Sequence, residues 1–123
     1  MDTDDLKRRT KQFAIRVIKL VEALPNTRTA YVIGNQLLRA RTSVGANYRA
    51  ACRGRSKPEF IAKLGIALEE ADETYYWMEL LIDANIMTKN QLAPLMAEAD
   101  EITAILTASV KTARTSKNKK SQS

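Results

Sequence analysis

The sequence predicts an all-α protein, an up-and-down antiparallel four-helix bundle, on three observations. Four segments carry apolar or neutral residues in alternating steps of three and four, the seam of a packed helix. Glycine (4) and proline (3) are scarce in 123 residues, whereas a sandwich or barrel needs many turns. The breaks between segments are short and carry helix stop and start signals, which forces neighbouring helices antiparallel.

The first segment spans about residues 5–24, with its seam at Leu6, Thr10, Phe13, Val17, Leu20 and Leu24. Lys7, Arg8, Arg9, Lys11, Arg16 and Lys19 fall off that seam, and Pro25-Asn26 stops the helix because proline disfavours helical geometry in the residue before it. The second segment spans about residues 29–53, through Ala30, Ile33, Leu37, Ala40, Val44, Asn47 and Ala51. Gly34 and Gly45 lie inside it, three turns apart on one face, each costing about 1 kcal/mol relative to alanine. Two glycines on one face point to a close approach by a neighbouring helix.

Gly54 ends the second helix, and Ser56-Lys57-Pro58-Glu59 reads as a capping box opening the third. That helix runs to about Ala84 with a seam at Ile61, Leu64, Leu68, Ala71, Tyr75, Met78 and Ile82. Asn85 is the expected C-terminal cap. Thr88-Lys89-Asn90-Gln91 is a second capping box. The fourth segment runs to about Arg114 through Leu92, Leu95, Ala99, Ile102, Leu106, Ser109 and Ala113, with Pro94 in its first turns. Residues 1–115 therefore form one bundle domain. Residues 116–123, SKNKKSQS, have nothing apolar to bury and read as a disordered basic tail.

Hydrophobic residues make up 45% and charged residues 28% of the chain, an ordinary globular balance. No apolar run reaches the roughly 18 residues of a membrane span. An acidic start, Asp2-Thr3-Asp4-Asp5, does not suit a secretory signal. A single cysteine, Cys52, excludes an internal disulfide and fits a reducing compartment, so a cytoplasmic location is expected. Cys52 itself reads as an inert packing residue beside the second seam.

Lysine and arginine number 20 against 14 acids, a net charge of +6, which favours anionic partners. The charge is segregated. Residues 26–57 hold seven basic residues and no acid, whereas residues 59–83 hold seven acids and one lysine. A basic stripe opposite the second seam comprises Arg28, Arg39, Arg49 and Arg53; Arg55, Lys57 and, in the tail, Lys117, Lys119 and Lys120 extend it. Such an array suits phosphate-backbone binding, which needs no base-reading code. The acidic third helix offers the opposite reading, in which it neutralises the stripe. Arg39 is better suited to a carboxylate of a neighbouring helix or chain than to phosphate. Asn47, polar within a seam, suits a role in register or oligomer state. On the third segment Ile66, Trp77 and Leu80 point roughly opposite the seam, and a helix apolar on two faces must bury both, so this strip is the expected oligomer interface.

Catalytic chemistry is not legible. Without histidine the chain lacks the commonest general base and metal ligand, and the Glu-x-x-His pairs of di-iron bundles cannot be built. Glu69 with Asp72 or Glu73, and Glu98 with Glu101, have spacings compatible with an all-carboxylate metal site, but such pairs are more often a solvated acidic face. No glycine-rich phosphate loop or nucleophile with a partner base is present in the sequence. No catalytic residue, metal or cofactor is expected.

The stretch Gln36-Leu37-Leu38-Arg39-Ala40-Arg41-Thr42-Ser43-Val44-Gly45-Ala46-Asn47-Tyr48-Arg49-Ala50, followed by Phe60-Ile61-Ala62-Lys63-Leu64-Gly65-Ile66-Ala67 and Glu69-Glu70-Ala71-Asp72-Glu73-Thr74-Tyr75-Tyr76-Trp77, resembles the second and third helices of the bacterial four helix bundle proteins, also called ribosomal-RNA intervening-sequence or S23-like proteins. The likeness runs from about Phe13 to Met87. It implies an up-and-down bundle that assembles as a homopentamer, with no known enzymatic activity; the ribosomal-RNA name reflects where such genes lie. The family is in turn distantly similar to the accessory variability proteins of diversity-generating retroelements, pentamers that bind nucleic acid and a reverse transcriptase. The chain departs from the commoner Asn-Ile-Ala-Glu-Gly pattern, reading Asn47-Tyr48-Arg49-Ala50-Ala51, so any role of that carboxylate is not carried over. Together these readings point to a non-enzymatic homo-oligomeric scaffold or adaptor that binds RNA, DNA or a nucleic-acid enzyme. The alternatives are a purely structural self-assembling bundle and, last, a carboxylate metalloenzyme.

Overall fold

The computed structural model describes the backbone of residues 2–122 and the side chains of these residues except Arg41, Thr42 and 116–122. Among the described residues there are four helices and no strand: α1 (Thr3–Glu22), α2 (Arg28–Cys52), α3 (Lys57–Asp83) and α4 (Lys89–Gln122). Consecutive helices pack side by side and α4 closes back onto α1, whereas the diagonal pairs make no close backbone approach. This is the expected four-helix bundle. The tail expected over 116–123 falls on residues whose side chains lie outside the described set.

Each helix begins where a side chain can replace the missing intrahelical acceptor. Asp2 Oδ1 accepts from Asp5 N (2.8 Å), and Thr27 Oγ1 accepts from Ala30 N (3.2 Å). Ser56 Oγ accepts from Glu59 N (3.2 Å), but the returning Glu59 carboxylate accepts from Arg55 N rather than from Ser56 N. The Thr88–Gln91 box closes in both directions, at 3.2 and 2.9 Å. Asn85 has φ 59°, the left-handed conformation that terminates α3. Pro94 lies inside α4, in its first turns, where few backbone acceptors lose a donor.

Three of the four seams fall where the periodicity puts them. Leu6, Thr10, Phe13, Val17 and Leu20 of α1 are buried, as are Ala30, Ile33, Leu37, Ala40, Val44 and Ala51 of α2 and Leu92, Leu95, Ala99, Ile102 and Leu106 of α4. Near the helix ends the stripe slips by one residue: Tyr48 and Val110 are buried, while Asn47 and Ser109 are half-buried. In α3 the buried stripe is rotated, comprising Leu64, Ala67, Ala71, Thr74, Met78 and Leu81, with Ile61, Leu68, Tyr75 and Ile82 on its flank. The buried hydroxyls of Thr10 and Thr74 donate to the carbonyls of Lys7 (3.0 Å) and Glu70 (2.8 Å), which lets a polar residue occupy the core without an unmet hydrogen bond.

A cationic cleft between α1 and α2

The predicted basic stripe stands on the outside of α2. Arg28, Arg49, Arg53 and, just beyond the helix, Arg55 are exposed, and Lys57 at the start of α3 is half-buried. Lys117, Lys119 and Lys120 lie outside the described side chains. Arg39 is the member that α3 engages: its guanidinium donates to Glu73 and stands 3.9 Å from Glu70. It thereby takes the carboxylate role, which withdraws it from the phosphate-facing set. Glu73 also accepts from the indole Nε1 of Trp77 at 3.2 Å. Burial and the neighbouring Glu73 raise the pKa of the Glu70 carboxyl above its ordinary value, and its Oε2 is buried without a hydrogen-bond partner.

The rotation of α3 changes its expected outer strip. Trp77 and Leu80 are half-buried and packed against the core, while Ile66 remains 40% exposed. Trp77 thus packs partly within its own subunit; it meets Tyr76 edge-on, with ring centroids 5.1 Å apart, and Tyr76 is itself 54% exposed. Asn47 donates from Nδ2 to Ser43 O at 2.8 Å, so its amide is at least partly satisfied within its own helix.

Two acids singled out in the sequence, Glu98 and Glu101, hold a cation. Arg9 donates from Nε and Nη2 to the two oxygens of Glu98 (2.8 and 2.7 Å) and pairs with Glu101 at 2.8 Å. These hydrogen bonds, Glu98 first, raise the Arg9 pKa further and fix its charge. The clamp joins α1 to α4. Among the described residues no three acids or cysteines gather as a metal site would require. No described helix is long and apolar enough to cross a membrane.

The two glycines of α2 both face α1, with different consequences. A Cβ at Gly34 would meet Val21 Cγ1 at 3.1 Å and Leu24 Cδ1 at 3.3 Å, so here α1 does approach closely. A Cβ at Gly45 would meet only Thr10, at 3.5 Å, an ordinary contact. Beside Gly45 the seam opens into a cleft of about 380 Å³ lined by Lys7, Lys11 and Arg49 at its rim, by the more buried Thr10, Ala14 and Gly45 at its floor, and by the exposed Ala46. None of the three cations has an ion pair among the described residues. Arg49 belongs to the α2 stripe legible in the sequence; the two lysines do not stand out there as partners of it. The signal was their i,i+4 spacing on the α1 face that an antiparallel α2 must meet.

Tyr48 is buried at this same end of α2, where burial first and Cys52 second push its hydroxyl up to about 12. Cys52 is half-buried against the core, as its place beside the seam suggests.

Comparison with known proteins agrees with the fold. The family model for the 23S rRNA-intervening sequence protein matches residues 4–108. A crystal structure of a protein of unknown function from the S23 ribosomal protein family of Bacteroides thetaiotaomicron VPI-5482 superposes with a TM-score of 0.84 at 39% identity, covering 90% of this chain and 99% of that one. No curated protein matches the chain. With the family model spanning nearly the whole bundle and the structural likeness covering 90% of the chain, the chain belongs to the 23S rRNA-intervening sequence protein family.

Proposed function

We propose that this protein is a non-catalytic, homo-oligomeric adaptor that binds nucleic-acid phosphates through the exposed cations of α2. One observation carries the reading: the acids of α3 engage Arg39, while Arg28, Arg49 and Arg53 stand exposed with no ion pair among the described residues. Had α3 neutralised the stripe, those arginines would be paired. Unpaired arginine in an array neutralises phosphates and releases counterions, so binding is electrostatic, tolerant of sequence and steeply salt-dependent. Assembly supports the same reading, because a ring of copies, pentameric as the family resemblance implies, multiplies the array. Ile66 and Tyr76 on α3 leave apolar surface for a second copy to cover.

Titration with mixed RNA and DNA at low and at physiological salt tests the binding. Arg49→Glu/Arg53→Glu is expected to abolish it while leaving the helical circular dichroism unchanged, since both side chains point away from the core. Absence of binding by the wild-type chain at low salt overturns the reading in favour of a purely structural assembly. Ile66→Glu/Tyr76→Glu is expected to shift sedimentation towards a folded monomer; unchanged assembly rejects the α3 interface. These exposed positions test the interface more cleanly than Trp77, whose replacement would also disturb the monomer.

A further inference from the structure

We infer that the cleft between α1 and α2 is the anchor point for one nucleic-acid strand, with Lys7, Lys11 and Arg49 gripping successive phosphates. The inference rests on the nucleic-acid reading above and adds a second helix and a defined place to it. The α2 stripe alone is a row of cations on one helix. At Gly45 the row meets a facing pair from α1, and the three cations rim a single cleft of about 380 Å³. Apart from Thr10 and the cations its lining is of small residues, Ala14, Gly45 and the exposed Ala46, so nothing bulky keeps a backbone from descending between the cations. The buried Thr10 hydroxyl is spent on the Lys7 carbonyl, which leaves the floor largely apolar and suited to the carbon face of a sugar.

The charges around the cleft are consistent with an anion. Asp5 is drawn away, pairing with Arg8. Asp4 stands one turn before Lys7 on α1, and Asp2, which caps that helix, acts on Tyr48 beside Arg49, so among the described residues the three cations face acids only at the N-terminal end of α1. The opposite flank of α1 is already committed, with Arg9 held by Glu98 and Glu101. A phosphodiester strand fits better than a compact free anion, because the rim is spread over two helices and continues along α2 to Arg53.

The test is oligonucleotide binding by the full chain, read by fluorescence anisotropy with a labelled single strand over a range of salt. Lys7→Glu/Lys11→Glu is expected to weaken binding about tenfold or more at low salt and to reduce the salt slope by about 1.4, the value for two lost single-strand phosphate contacts. Arg16→Glu/Lys19→Glu makes the same change in net charge on exposed positions of α1 away from the cleft, and it should cost less than about threefold. Ala46→Leu adds bulk to the exposed lining of the cleft without altering charge and should weaken binding several-fold while the protein stays helical. Equal losses in the two double variants, or full binding by Ala46→Leu, would overturn the cleft and leave the diffuse α2 surface standing. Inorganic pyrophosphate binding as tightly as the strand would overturn the strand. Failure of the wild-type chain to bind any oligonucleotide would remove the adaptor reading as well.

Discussion

The α1–α2 seam has two ends that share a plan and differ in chemistry. Each has a glycine of α2 facing α1 and a cleft beside it. At the Gly34 end the cleft is lined by uncharged residues, among them Pro25, Tyr31 and Leu38, and the glycine lies against Val21 and Leu24. At the Gly45 end the glycine has room, and the cleft is rimmed by Lys7, Lys11 and Arg49. The first glycine is a packing device, because a Cβ there would press Val21 and Leu24 back by a few tenths of an ångström. The second sets the depth of a groove. The two look alike in the sequence, and only the identity of the facing α1 residues tells them apart.

The sharpest way to break this comparison is to enlarge both positions. Gly34→Leu drives a side chain into Val21 and Leu24 and is expected to destabilise the bundle by about 3 kcal/mol, read from the urea midpoint. If Gly45→Leu costs as much, the two ends do not differ. A second test uses pH. The Tyr48 hydroxyl is raised from 10.0 to about 12 in the folded chain, so the unfolded chain releases its proton first as pH rises. Stability present below pH 10 is therefore lost between about 10 and 12, and Tyr48→Phe should flatten that loss. The smallest expected effect is Gly45→Ala, a gain of about 0.5–1 kcal/mol from helix propensity in a site that accepts a Cβ. A loss there would mean that α1 and α2 are closer at Gly45 than the Thr10 distance implies.

What the sequence made legible follows from how one-sided each helix is. α1 has one apolar face and a strongly charged remainder, so its seam was readable residue by residue. α3 carries apolar side chains around much of its circumference, from Leu64 and Ala67 to Ile66, Trp77 and Leu80. A three-four pattern can then be drawn at more than one rotation. The structure selects the rotation that buries Ala67, Thr74 and Leu81, helped by the Thr74 hydroxyl bonding within its own helix. The cost appears at the rim, where Glu70 is half-buried with one oxygen unmatched. Sites that need two helices were beyond the sequence pattern. Glu98 and Glu101 read as an acidic pair, and nothing local to α4 indicated that Arg9, 89 positions earlier, would fill the space between them. Lys7 and Lys11 read only as residues off the α1 seam for the same reason.

The Arg9 clamp matters because it joins the helix pair with the thinnest packing, α1 with α4. A bundle opens most readily along such a line, so α1 is the helix whose amides should exchange with solvent through a partial opening, ahead of those in α2 and α3. When α1 swings away it takes Lys7 and Lys11 with it and leaves Arg49 behind. A polyanion bridging those residues fastens the helix from outside, and its occupancy becomes visible as slowed amide exchange along α1, far beyond the few residues it touches.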